Sequence, residues 1–180
     1  MLEQMAQEQE SAFKKTLEGI TVGPKLFDLS WVEDVQVIAP MYRGECGVDA
    51  LNEKLRAALG SELQGGREIK QGARTWRTGD RVIHTRNNYE KEVFNGDMGR
   101  IARISEGAEP TVVVKFPERE VTYALTELGE LAPAFAITVH RSQGGEFPAV
   151  VIPLVAQHAE MLPRHLLYTA VTRARKLVVL

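Results

Sequence analysis

His140, Arg141, Ser142 and Gln143, followed by Gly144, Gly145 and Glu146, stand between two apolar runs in the stretch AITVHRSQGGEFPAVVIPL. Two adjacent glycines let a backbone approach a ligand closely, and the four residues before them can donate to phosphate oxygens. Glu146 differs, because a carboxylate repels phosphate but accepts well from a sugar hydroxyl. From composition alone the segment is equally a polar loop whose glycines serve a turn. A second cationic group closes the chain. In LLYTAVTRARKLVVL, Arg173, Arg175 and Lys176 follow a stretch that is apolar through Leu166, Leu167, Ala170 and Val171. An arginine held at one place on a packed element can neutralise charge on a transferring γ-phosphoryl group. The alternative is a set of solvated cations complementing a helix end, and that is the preferred reading for Arg175 and Lys176.

Such residues need elements to hold them. FAITVH, AVVIPL and KLVVL read as strands, with a helix near 163 to 174. Further upstream VQVIAP is strand-like and is followed by YRGECG, then by VDALNEKLRAALG, where Val48, Leu51, Leu55 and Leu59 recur at helical spacing. Between residues 70 and 125 the texture changes to short β runs, DRVIHT, GRIARI, TVVVKF and EVTYAL, with turn signals at Asn95-Gly96-Asp97 and Glu106-Gly107. A small, mostly antiparallel barrel inserted into a parallel α/β domain is the simplest account. The expected division is an N-terminal helix and linker over 1–33, an α/β part over 34–69, the barrel over 70–125 and the second α/β part over 126–180. Within 1–33, residues 2 to 18 read as a helix capped by Gly19. Parallel α/β sheets gather ligands at the carboxyl ends of their strands, and the polar segment after FAITV lies at such an end.

The chain has 180 residues, 44% of them hydrophobic, which is enough for a real core. A net charge of −2 argues against a wholly basic nucleic-acid binder while leaving a local basic patch open. Cys46, the single cysteine, cannot form an internal disulfide, which fits a reducing compartment. The four histidines, His84, His140, His158 and His165, lack paired metal-ligand spacing, so no metal site is expected. No apolar run has transmembrane length and the start carries no leader pattern, so no membrane partner is expected and the expected address is the cytoplasm.

Four blocks taken in order, VIAPMYRGECGVDALNEKL, GDRVIHTRNNYEKEVFNGDMGRI, AITVHRSQGGEFPAVVIPL and LLYTAVTRARKLVVL, resemble the C-terminal half of a RecD-type superfamily 1 DNA helicase. They are similar to that family's motifs IV, V and VI with a small β-barrel between the first two. The resemblance covers residues 34 to 180. It implies an α/β fold: a RecA-like, P-loop-NTPase-type parallel sheet with helices on both faces, and an inserted small antiparallel β-barrel of Src-homology type. ATP would lie in the cleft between two RecA-like domains, this being the second. On that resemblance Arg43 corresponds to the motif IV arginine that reaches the γ-phosphate and Arg173 to the motif VI arginine finger. Gly145 and Glu146 correspond to the motif V residues beside the nucleotide, with Glu146 on the ribose. Thr138 and His140 resemble the residues that touch the single-stranded DNA backbone, and Ser142 shares their segment.

The residues permit other readings. Arg43 follows a buried strand, where an unpaired guanidinium is costly, so a phosphate or a carboxylate partner is expected. Thr138 is also a β-favouring residue, and His140 fits a structural histidine. Asn87, Asn88 and Tyr89 either line a path for bases or cap the junction with the barrel.

The phosphate-cradling pattern GxxxxGK[ST] is absent from the chain, as is any Gly-Lys pair, and no strand-ending acidic pair for Mg²⁺ is evident. The expectation is therefore a piece of a longer protein that does not hydrolyse ATP unaided. The resemblance implies that it shares ATP with Mg²⁺ with an N-terminal RecA-like domain of the same parent, moves 5′ to 3′ along single-stranded DNA and has nuclease subunits as further partners. Arg141 departs from the family, where many relatives have lysine. Two other readings are a stand-alone DNA-binding module without catalysis and a scaffold whose barrel docks a protein.

Overall fold

The computed structural model describes residues 30, 33–59, 66–155 and 163–180. The helix expected over 2–18 lies outside these residues, as does His158. The chain divides into two units, Met1–Val35 and Gln36–Leu180. In the first, the Ser30 amide donates to the Asp34 carboxylate at 2.8 Å and the Glu33 amide to the Ser30 hydroxyl at 3.3 Å.

The second unit holds the α/β part. Strand β1, Val35–Ala39, is buried throughout, as a run of alternating-face residues covered on both sides must be. Helix α1, Val48–Leu59, buries Val48, Leu51 and Leu55 of the stripe seen in the sequence, together with Asn52, while Leu59 at its end is half-buried. The turn joining them is tight: the Val48 amide donates to Met41 O at 2.9 Å. A side chain at Gly47 would put its Cβ 2.5 Å from the carbonyl oxygens of Tyr42 and Arg43, so only glycine fits there.

Strands β9 (Ala136–Thr138), β10 (Phe147–Val151) and β11 (Ala174–Val179) complete a four-stranded sheet in the order β11-β10-β1-β9. The β1–β9 and β10–β11 pairs are parallel, with Val37 opposite Ala136 and Val150 opposite Val178. At the β9 edge, Asn52 of α1 substitutes for a neighbouring strand: its amide donates to Ala136 O at 2.8 Å and its carbonyl accepts from Ala136 N at 2.9 Å. Helix α2, Arg164–Val171, packs Leu166, Leu167, Ala170 and Val171 on a face made by Ile38, Ile137, Val150 and Ile152.

The inserted β part has a hairpin, β2 (Glu68–Gln71) and β3 (Arg74–Arg77), and a five-stranded antiparallel sheet ordered β7-β6-β5-β4-β8. These strands are β4 (Arg81–His84), β5 (Met98–Ser105), β6 (Thr111–Lys115), β7 (Glu120–Ala124) and β8 (Leu131–Pro133), with a 3-10 turn over Leu125–Glu130. Alternation does the sorting: in TVVVK, Val112 and Val114 face inward, and each contributes about 1.5–3 kcal/mol on burial. They meet Trp76, Ile101, Tyr123, Leu128 and Leu131 in one core. Among the described residues the strands form two sheets that share this core. That arrangement is compatible with the expected small barrel, without the hydrogen-bonded closure of one. Strands of this part run from Glu68 to Pro133, beyond the expected 70–125, because β8 pairs with β4 after the 3-10 turn.

β4 and β8 pack on both faces, though Ala132 and Pro133 of β8 are half-buried. Val82 and Leu131 enter the core of the inserted part, whereas Ile83 and Ala132 pack with Ile38 and Ile137 of the α/β part. The inserted part is thus mounted on the parallel sheet by shared packing.

Candidate nucleotide and nucleic-acid site

The polar segment after β9 is a compact double turn. The Ser142 amide donates to Thr138 O at 3.0 Å, the Gln143 amide to His140 O at 3.3 Å and the Gly145 amide to Ser142 O at 3.1 Å. Gly144 has φ +83°, a left-handed conformation that glycine adopts without steric cost. Thr138 and Ser142 are buried and their hydroxyls serve the turn: Thr138 Oγ1 accepts from the Arg141 amide at 3.2 Å and Ser142 Oγ donates to Val139 O at 2.7 Å. His140, Gln143, Gly144 and Glu146 are exposed. Of the three residues matched to DNA contact on this turn, His140 therefore presents its side chain, while Thr138 and Ser142 present a shaped backbone.

The start of β11 closes onto this turn. The Phe147 amide donates to Arg173 O at 2.8 Å. The Arg173 side chain donates through Nε to Thr169 O at 3.2 Å, through Nη1 to Gly145 O at 3.2 Å and through Nη2 to Thr172 Oγ1 at 3.3 Å. A guanidinium carries five N–H donors, so the held side chain keeps two for a ligand. Arg175 places Nε and Nη2 both 2.8 Å from one oxygen of Glu146, Oε2. The sequence reading treated Arg175 as a solvated helix-end cation. The parallel β10–β11 register, which sets Phe147 opposite Ala174, instead aligns it with Glu146.

Arg43 lies in the turn after β1 and is exposed, with no hydrogen bond or ion pair among the described residues. The expected cost of burying it does not arise, because the turn lifts its guanidinium into water. Its neighbour Tyr42 sits under the Arg141 guanidinium, 5.7 Å from the ring centroid, a cation–π contact that ties the β1 turn to the β9 turn. Sequence reading did not pair these two; the adjacent parallel strands β1 and β9 bring them together. Tyr42 and Arg141 also wall a cavity of about 730 Å³ that reaches Asp49, Arg56, Arg74 and Trp76.

Asn87 and Asn88 act as braces. Asn87 Oδ1 accepts from the Asn95 amide at 2.9 Å, and Asn88 Oδ1 accepts from the Lys91 amide at 3.1 Å. Asn88 Nδ2 donates to Glu130 at 3.0 Å. These bonds brace the loop between β4 and β5. They hold out Tyr89 and Phe94, whose exposed rings meet edge to face at 5.9 Å. Glu130 is a hub that the sequence did not signal: its carboxylate also lies 3.2 Å from the buried His84 ring, without hydrogen-bond alignment, and 3.4 Å from Arg86. Between α1 and the inserted part, Asp80 is buried against Arg56, with Nη2 2.8 Å from Oδ2. Burial raises its carboxyl above the usual range, and the Arg56 charge opposes that rise. Among the described residues no group of three His, Cys, Asp or Glu side chains is gathered to hold a metal ion.

Strands β9 to β11 of the parallel sheet, the held arginine with its glycine turn, and most of the antiparallel β insert fall within regions that match helicase-domain descriptions. Two family descriptions agree: an ATP-dependent RecD-like DNA helicase SH3 domain matches residues 51–116, and a UvrD-like helicase C-terminal domain matches residues 133–180. The ATP-dependent RecD2 DNA helicase of Deinococcus radiodurans is 43% identical over 78% of this chain and 19% of its own length. The RecBCD enzyme subunit RecD of Mycolicibacterium smegmatis is 29% identical over 82% of this chain and 25% of its own length. The crystal structure of Bacteroides Pif1 helicase with ADP-AlF3 and single-stranded DNA shares the fold, with a TM-score of 0.56 at 18% identity over 87% of this chain and 42% of that one. The chain belongs to the RecD-type superfamily 1 helicases, corresponding to their C-terminal part. It spans about a fifth to a quarter of the length of these two curated relatives.

Proposed function

We propose that this chain is the second motor domain of an ATP-dependent DNA helicase, acting with a P-loop domain of the same polypeptide on single-stranded DNA. The observation that carries the reading is Arg173, whose guanidinium is fastened to Gly145 O and Thr169 O and still has two N–H groups to offer. A cation fixed in advance costs little reorganisation when charge develops on a phosphoryl group. The nucleotide, bound with Mg²⁺, supplies the transferable phosphoryl group. Arg173 and the solvated Arg43 would face that group, Gly145 would border the nucleotide and Glu146 would accept from its sugar. The donor set suits a triphosphate: two cations, a close-approach glycine and one carboxylate that a hydroxyl can satisfy.

His140 and Arg141, with the backbone shaped by Thr138 and Ser142, would follow the DNA backbone in this reading. Asn87 and Asn88 would contribute by holding the Tyr89–Phe94 loop that stacks on bases. Movement in the 5′ to 3′ direction and association with nuclease subunits come with the RecD resemblance, and work in the cytoplasm with the single cysteine and the lack of a leader pattern or transmembrane-length run in the sequence. The same reading makes the chain inactive as an ATPase by itself.

The test is DNA-stimulated ATP hydrolysis by the polypeptide that joins this domain to its P-loop domain, with and without Arg173→Ala. Loss of an arginine finger lowers kcat by about 10³-fold or more, with a much smaller effect on KM. Retention of kcat within about tenfold would remove Arg173 from the chemistry.

A further inference from the structure

We propose that Arg175 is a positioning residue that turns Glu146 into a reader of the nucleotide's sugar hydroxyl. The inference rests on the reading of Glu146 as the sugar contact and adds to it a residue that no family motif assigned. Arg175 does not embrace the carboxylate oxygen for oxygen. Both its Nε and its Nη2 lie 2.8 Å from the same atom, Oε2, which leaves Oε1 without a hydrogen bond among the described residues. A carboxylate with one oxygen clamped has one rotamer and one acceptor direction to offer. A hydroxyl of a bound sugar is the donor that such an acceptor fits best.

Charge supports the same assignment. A bare carboxylate one residue from the glycine that borders the nucleotide would repel a triphosphate, and Arg175 cancels that charge without removing the acceptor. The clamp is also fixed from behind. Arg175 leaves β11 two residues after Arg173, and the β10–β11 ladder sets Phe147, next to Glu146, opposite Ala174, next to Arg175. In this domain taken alone the two side chains are 65% and 56% exposed. An ion pair that open to water contributes little to stability, so its geometry serves placement rather than folding.

The experiment compares Glu146→Gln, Arg175→Gln and the double variant in the polypeptide that joins this domain to its P-loop domain. DNA-stimulated hydrolysis is measured with ATP, 2′-deoxy-ATP and 3′-deoxy-ATP. Glu146→Gln raises KM for ATP about tenfold, the scale of a lost hydrogen bond to a charged acceptor, and flattens discrimination against one of the two deoxy analogues. Arg175→Gln raises KM about twofold to fivefold and flattens the same discrimination, with its effect on KM rather than kcat. The double variant is no worse than Glu146→Gln, because the two residues act as one unit. Arg175→Lys restores charge but not the fork, and recovers KM more fully than discrimination. An unchanged Glu146→Gln profile removes the sugar reading of Glu146 and this inference with it. A Glu146→Gln effect with normal discrimination in Arg175→Gln leaves the sugar reading standing and overturns the role of Arg175.

Discussion

Arg56→Ala separates a buried ion pair from its pH dependence, and the structure sets the size of both effects. The Asp80 side chain is 5% exposed and that of Arg56 23% exposed. Removing the guanidinium leaves the carboxylate with the Arg77 amide at 2.8 Å as its remaining donor. Deleting one member of a buried pair costs about 3–5 kcal/mol. The lower end applies, since Arg56 is partly hydrated and the backbone donor stays, giving about 3 kcal/mol near neutral pH. That corresponds to a melting point lower by roughly 6–12 °C for a domain of this size. Burial already raises the Asp80 carboxyl above its ordinary range against the pull of Arg56, and without Arg56 it rises further. A folded-state value above the unfolded one means that the proton favours the folded form. Stability of the variant is then fullest below the unfolded carboxylate range and falls as pH rises through the raised folded value. The deficit against the unsubstituted protein therefore opens with rising pH and narrows on acidification. Glu127, held below its usual range by the Lys91 hydrogen bond, loses stabilisation as pH falls, but it does so in both proteins and cancels. Urea titrations at several pH values, followed by the buried Trp76 in a Trp31→Phe background, measure the difference. A deficit that is the same at pH 5 and pH 7, or below about 1 kcal/mol throughout, would refute the reasoning.

Two further outcomes follow from the same geometry. Asn52→Leu leaves the amide and carbonyl of Ala136 without their side-chain partners at the sheet edge, and denaturant unfolding should show a loss of about 2–4 kcal/mol. His140→Ala and Arg141→Gln should weaken binding of an oligo-dT strand with circular dichroism unchanged. Arg141→Gln should also lower the slope of log affinity against log salt by about one, and an unchanged slope would take Arg141 off the phosphates.

The sequence disclosed the parts whose physics is local. A helical stripe through Val48, Leu51 and Leu55 and the alternation in TVVVK need only neighbouring residues, and both became the elements expected. The Asn-Gly turn at 95–96 likewise closes the loop before β5, with Gly96 at φ +102°. What stayed hidden depends on which strands become neighbours. β8 joins β4 only after a 3-10 turn, so no pattern within LTELGELAP extended the inserted part to Pro133. Tyr42 meets Arg141 across nearly a hundred residues because β1 lies beside β9. Composition alone could not rank Arg43 against a salt bridge, since its exposure is decided by a turn around Gly44 and Gly47. Ser142 was read as a donor to phosphate and Thr138, by resemblance, as a DNA-backbone contact, and the hydroxyls of both serve the turn itself.

The ladder between β10 and β11 gives the site its unity. Three consecutive links cross it: the Phe147 amide to Arg173 O, Arg173 Nη1 to Gly145 O, and Arg175 to Glu146. The turn they grip begins at Thr138, whose hydroxyl holds the Arg141 amide. His140 and Gly145 are thus the two ends of a single hydrogen-bonded turn, one facing the proposed DNA track and the other the proposed nucleotide. A ligand that engages the two remaining N–H groups of Arg173 pulls, through its bond to Gly145 O, on the same turn that presents His140. Coupling between the two ligands then requires no long pathway, only that this turn have two arrangements whose balance both ligands bias.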